Sequence, residues 1–125
     1  MAALLAPRGT VSVFLAPDRA ELYRRIDARF DAMLAAGALE EVRALVSRKL
    51  DPHHPIMRAH GVPRLREFLA DRVPLSDAAR QSKSDIRRYA KRQFTWFRHQ
   101  LPDFTWIADD RALDHILQAL GRVRA

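Results

Sequence analysis

The chain contains no cysteine and only four glycines, Gly9, Gly37, Gly61 and Gly121. The first absence excludes a disulfide framework and any cysteine-ligated metal, and it is compatible with a reducing compartment. The glycine positions exclude a phosphate-binding loop of the form G-x-x-x-x-G-K-[ST], since none of them opens that spacing. Long apolar runs are missing as well. Met1 to Ala6 is apolar but far too short to span a membrane, and no charged start leads into an apolar run of about seven residues, as a signal peptide needs. There is no internal repeat and no low-complexity tract. Acidic residues are in deficit: 15 Asp and Glu against 22 Lys and Arg leave a net charge of +7. Such a balance favours acidic partners, nucleic acid among them.

What is present reads mostly as helix. The 125 residues leave room for one domain with a modest core, and we expect a ragged start over 1–10 followed by a single α-rich domain over 11–125. Val11-Ser12-Val13-Phe14-Leu15 lies between Gly9 and Pro17 and predicts a short strand, as does Phe104-Thr105-Trp106-Ile107-Ala108. Asp18 is placed to cap a helix to about Ala36, with Leu22, Ile26, Phe30, Met33 and Leu34 at helical spacing, and Gly37 can end it in a left-handed conformation. Leu39 to Arg48 reads as a second helix with Val42, Leu45 and Val46 inward. Pro52 and Pro55 make the next segment a loop, and Pro63 suits the first turn of a helix to about Ala70. Ser76, after Pro74, is placed to cap a long helix that Pro102 stops. A last helix starts at Asp110 or Arg111 and runs to about Leu120, with Leu113, Ile116, Leu117 and Leu120 on one side.

The long helix is the most informative element. No Gly or Pro lies between Leu75 and Leu101. At 100° per residue, Arg80, Lys83, Arg87, Lys91 and Arg98 fall within an arc of about 80°. Ile86, Tyr89, Ala90, Gln93 and Phe97 fall on a neighbouring, mostly apolar face. One face is then free to dock on a core while the other offers a ladder of cations. That ladder suits a phosphate backbone, because each neutralised phosphate releases condensed counterions. The plainer reading, a solvated basic surface, stands beside it.

Other chemistry finds little support. His53 and His54 are adjacent and point apart in a loop, while His60 and His115 have no partner one helical turn away. No H-E-x-x-H motif is present, so metal ligation by side chains is not expected. Glu40-Glu41 and Asp109-Asp110 stand near helix starts, where negative charge complements the helix dipole, and this structural role outweighs acid–base work. No nucleophile-elbow pattern accompanies a Ser, His and Asp. Phe94, Trp96 and Phe97 read first as core aromatics, with nucleotide stacking the sharper alternative, and Trp106, in a strand, reads as core.

Three segments carry a resemblance. Ala90-Lys91-Arg92-Gln93-x-Thr95-Trp96-x-Arg98 follows a basic stretch; Tyr23-Arg24-Arg25-Ile26-Asp27-Ala28-Arg29-Phe30-Asp31-Ala32-Met33 precedes Gly37 and Glu40-Glu41-Val42-Arg43; and Pro55-Ile56-Met57-Arg58-Ala59-His60-Gly61-Val62 forms a turn. In that wording and order, over about Val11 to Asp110, the chain resembles the carboxyl-terminal portion of the tRNA dimethylallyltransferases, as if begun at an internal Met1. These enzymes prenylate an adenosine beside the anticodon.

The resemblance implies a fold that is mainly α: the helical carboxyl-terminal part of an α/β P-loop-type transferase, with two short strands at about 11–15 and 104–108. The strands would finish a parallel sheet whose other members lie in a missing amino-terminal half. It implies that Arg58 and Gly61 face the diphosphate of dimethylallyl diphosphate, Arg58 through its planar, permanently charged fork. Gly61 offers either a close backbone approach or a positive φ, or serves as an ordinary turn glycine. Gln81, Lys83, Ser84, Arg87, Arg88 and Lys91 match the stretch that contacts tRNA, while Arg92 and Arg98 are candidates for carboxylate pairing or core packing. After Gly61, Val62-Pro63 replace an aromatic and a long polar residue of the commoner form. Further implications are a cytoplasmic setting, the tRNA anticodon loop as partner, no membrane, and Mg²⁺ in the complete enzyme with ligands outside this chain. No catalytic residue is assigned: the phosphate-binding loop and the general base are absent here, so the chain alone should not turn over. The alternative is an independent basic helical module that binds RNA or serves a structural role.

Overall fold

The computed structural model describes residues 4–124, with the side chains of 123 and 124 left aside. The order is strand β1 (Val13–Leu15), helices α1 (Arg19–Ala35) and α2 (Ala38–Ser47), a 3-10 turn (Pro55–Arg58), α3 (Val62–Leu69), α4 (Leu75–Gln100), strand β2 (Thr105–Ile107), a 3-10 turn (Asp109–Arg111) and α5 (Ala112–Arg124). The five expected helices and two short strands are therefore present. The expected ragged start falls partly outside the described residues, and 4–10 form bends and turns with exposed side chains.

Local chemistry explains most boundaries. Asp18 caps α1, its carboxylate accepting from the Glu21 amide at 3.1 Å. Gly37, at φ 105, turns the chain from α1 into α2 in the left-handed region that glycine alone enters at little cost. Pro63 sits in the first turn of α3. The capping role expected of Ser76 is not found. Helix α4 begins one residue earlier, at Leu75, and the carbonyl of Pro74 accepts from Asp77 and Ala78. Helix α5 runs past Leu120 to Arg124.

The chain forms two compact units, Tyr23–Gln93 and a second made of 1–22 with Phe94–Ala125. The core of the first gathers Phe30 from α1, Val42 from α2, Met57 from the 3-10 turn, Val62 and Leu65 from α3 and Ala78 from α4. Leu34, Leu45, Phe68, Leu75, Ala79 and Ile86 pack around it. Met33 and Val46 stay largely outside it, contrary to the expected inward set. On α4 the buried line is Ala78 and Ser82, both 0% exposed, which lets the helix lie close to its neighbours.

In the second unit β1 and β2 pair in parallel, Val13 with Thr105, Phe14 with Trp106 and Leu15 with Ile107. Thr105 donates to Ser12 at one end and Ala16 to Ile107 at the other. Phe14 stacks on Phe97 at 4.1 Å and meets Phe94 edge-on at 5.8 Å, with Trp106 4.7 Å away. These contacts place Phe94 and Phe97 in a ring cluster. Trp96, by contrast, is 54% exposed and Tyr89 46%. On α5 the side turned inward carries Ala112, Ile116 and Ala119, whereas Leu113, Leu117 and Leu120 are exposed.

Candidate nucleic-acid interface

Met57 and Arg58 are neighbours with opposite fates. Met57 is 3% exposed and fixes the turn to the core, while Arg58 projects from the same turn into solvent. His54 supports the turn's start, its Nδ1 accepting from the Ile56 amide at 3.3 Å. Among the described residues Arg58 has no carboxylate partner, and its side chain is open to solvent. Gly61 ends the segment at φ +93, buried, where an added Cβ would lie 3.1 Å from Phe30 Cε2. Both physical reasons for glycine therefore apply at one position, a positive φ and a close approach.

Beside this turn lies a cavity of about 220 Å³ lined by Ile26, Arg29, Phe30, Met33, His60 and Ile86. Its walls are mostly apolar, with two basic groups, Arg29 and His60. The His60 ring packs against Tyr89 of α4 at 4.9 Å. Arg64, at the start of α3, donates to Asp85 of α4 at 2.9 and 3.4 Å. The hydrogen bond and charge of Arg64 hold the Asp85 carboxyl below its ordinary range, with Arg88 and His60 adding smaller attractions. The bridge ties the first turn of α3, which follows the turn carrying Arg58, to the middle of α4.

The cation ladder on α4 differs from the open face expected. Arg87 turns toward α1, where Nη1 meets both oxygens of Asp27 at 2.7 Å. Lys83 Nζ meets Asp31 at 2.7 Å. The reason is register. Asp27 and Asp31 stand one turn apart on α1, Lys83 and Arg87 one turn apart on α4, and the two stretches run antiparallel. A cation at a helix–helix seam loses part of its hydration and is favoured by a carboxylate opposite. Gln81 and Ser84 lie half-buried beside them. Arg88 is open, 69% exposed with only a 3.9 Å contact to Asp85, and Lys91 and Arg92 are exposed. Arg80 pairs with Asp77, and Arg98 lies over the Trp106 ring at 4.8 Å.

Sequence reasoning did not assign Asp27, Asp31, Arg64 or Asp85. The first two were readable from matching four-residue spacings of acids and cations on neighbouring helices; the Arg64–Asp85 contact, 21 residues apart, left no such signal. Among the described residues no three His, Asp or Glu side chains cluster to hold a metal ion, and no helix is long and apolar enough to cross a membrane.

Solved transferase structures match this chain, with its basic helix and its parallel strand pair. Over 94% of this chain it superimposes on the full-length tRNA isopentenylpyrophosphate transferase of Bacillus halodurans with a TM-score of 0.76 at 30% identity, covering 40% of that chain. The tRNA delta(2)-isopentenylpyrophosphate transferase of Staphylococcus epidermidis gives 0.75 at 30% identity, covering 90% of this chain and 38% of that one.

The chain belongs to the IPP transferase family, whose model matches residues 3–100. It is 56% identical over 118 residues to the tRNA dimethylallyltransferase of Rhodopseudomonas palustris, with 94% of this chain and 37% of that protein covered. The enzyme of the same name from Nitrobacter hamburgensis is 61% identical over 109 residues, covering 87% and 34%. The chain thus spans between a third and two fifths of the length of the relatives it matches.

Proposed function

We propose that this chain is the tRNA-gripping, channel-lining portion of a tRNA dimethylallyltransferase. In the reaction, a dimethylallyl group passes from dimethylallyl diphosphate to N6 of the adenosine beside the anticodon. The observation that carries the reading is the 56% identity, over 94% of the chain, to an enzyme of that name. Two further features support it: the solvent-facing Arg58 on a turn fixed to the core by Met57, and the exposed basic side of α4 at Arg88, Lys91 and Arg92.

In this reading the adenosine leaves its stack so that its exocyclic amine is accessible. The amine forms a bond to the allylic carbon, the carbon–oxygen bond to diphosphate breaks, and the amine loses a proton. Arg58 binds diphosphate oxygens as their charge develops, assisted by the close backbone at Gly61. The cavity beside Gly61, apolar but edged by Arg29 and His60, suits an apolar group joined to an anion. Arg88 and Lys91 hold the RNA backbone, and Gln81, Lys83, Ser84 and Arg87 complete that face. In this reading Mg²⁺ belongs to the complete enzyme and takes its ligands from outside this chain. The reading also assigns the diphosphate loop and the base to an amino-terminal partner segment, and takes the cytoplasm as the setting.

The test is prenyl transfer to an anticodon stem–loop, by this chain alone and by this chain mixed with the amino-terminal part of a matched relative. The expected result is no transfer alone, and transfer from the mixture that Arg58→Ala lowers by about a hundredfold, in line with loss of one charge-stabilising group. Transfer by the chain alone would contradict the division of labour.

A further inference from the structure

The basic side of α4 carries two kinds of cation. Lys83 and Arg87 have side chains only 21% and 31% exposed, each locked to an α1 carboxylate at 2.7 Å. Arg88, in the next position, is 69% exposed and its nearest carboxylate oxygen is 3.9 Å away. The carboxylate on the outer rung, Asp31, is itself 61% exposed. An approaching phosphate therefore meets Asp31 together with Lys83, and must displace or bypass it to use that charge.

A bare cation ladder binds any polyanion, because each neutralised phosphate contributes a counterion-release term that carries no sequence information. An intramolecular carboxylate on each rung opposes that term. It competes well against a phosphate that is loosely placed, and poorly against one that the rest of the contact holds in position. Discrimination is the difference between those two cases. We infer that Asp27 and Asp31 are specificity-determining residues for RNA: they hold Lys83 and Arg87 in reserve, so that this face binds a shaped RNA in preference to a random strand. The inference rests on the tRNA-gripping role assigned above and adds the device that makes the grip selective.

The consequence runs against the usual expectation for removing an ion pair at a binding face. Neutralising the acids should strengthen binding to the wrong RNA. The experiment compares the wild-type chain with Asp27→Asn/Asp31→Asn, titrating an oligouridine single strand and an anticodon stem–loop over a range of salt, with helix content followed by circular dichroism. The double variant should bind oligouridine about tenfold more tightly at low salt, with a log–log salt slope steeper by up to about 1.4, two phosphates at roughly 0.7 each on a single strand. The stem–loop should gain less, so the ratio of the two affinities falls. Adding Lys83→Gln and Arg87→Gln should abolish the gain, and Asp27→Glu/Asp31→Glu should retain the wild-type ratio. Should the double variant fail to fold, Asp31→Asn alone, at the outer rung, should give about a threefold gain for oligouridine, half of the logarithmic effect. An oligouridine affinity that stays unchanged or weakens, while the wild-type chain still binds the stem–loop, overturns this inference and leaves the tRNA role standing. A wild-type chain that binds neither RNA overturns both.

Discussion

Helix α4 is held in two different ways along its length. Over Leu75–Gln93 its neighbours approach closely at Ala78 and Ser82, and the seam is edged with charge, Lys83 to Asp31, Arg87 to Asp27 and Asp85 to Arg64. From Phe94 onward the contacts are rings: Phe94 and Phe97 with Phe14, and Trp106 against Phe94 at 5.7 Å. The difference separates two jobs. Partly exposed ion pairs contribute little stability, about 1 kcal/mol or less each, but they fix register and charge pattern. Buried rings contribute several times more through area and contact, and read no ligand. The charged stretch is the one suited to an interface, and the aromatic stretch is the one that keeps the strand pair in place.

The largest effect expected from this contrast is in the rings. Phe94→Ala should cost about 3–4 kcal/mol, seen as a lower denaturant midpoint, against about 1 kcal/mol for Arg87→Gln on the charged stretch. Equal costs would break the contrast. Next comes Gly61→Ala, which forces a side chain into φ +93 with its Cβ 3.1 Å from Phe30; about 1–3 kcal/mol should be lost, and Phe30→Leu in the same background should restore part of it by clearing the ring edge.

Asp85 sharpens the comparison through pH. Its carboxyl lies below the ordinary 3.8 in the folded chain, so the unfolded chain takes up the proton first as acid is added. The bridge therefore contributes fully above pH 3.8 and is lost as pH falls through the lower folded value. Asp85→Asn should flatten the acid limb of the stability curve and leave its slope between about pH 6 and 8 unchanged. The smallest effect, with reversed sign, is expected at Ser82, whose buried hydroxyl oxygen has no hydrogen-bond partner among the described residues. Ser82→Ala should be neutral or stabilising by up to about 1 kcal/mol, measured by thermal denaturation.

Much of the architecture was legible because its causes are local. Asp18, Gly37, Pro63 and Pro102 punctuate helices by chemistry that acts within a few residues, and a β-rich run between Gly9 and Pro17 has few other conformations open to it. The three family segments were legible as wording, and with them the family. Orientation was less so. Helical spacing groups Leu113, Leu117 and Leu120 on one side of α5 but says nothing about whether a neighbour covers them, and they are exposed. Likewise, spacing put Lys83 and Arg87 on one arc of α4, and Asp27 and Asp31 carry the matching spacing on α1, but the packing of α1 against that arc is what brings the two sets together. Trp96 and Phe97 are adjacent and similar in hydrophobicity, yet one is exposed and the other is stacked on Phe14.

The central claim, that the exposed cations of this chain grip an RNA backbone, is tested most directly by the salt dependence of anticodon stem–loop binding. Wild-type chain and the triple variant Arg88→Ala/Lys91→Ala/Arg92→Ala should both bind, with the variant's log–log slope shallower by up to about 2–3, near 0.7–0.9 for each phosphate that is no longer neutralised. A slope identical in the two proteins would contradict the account.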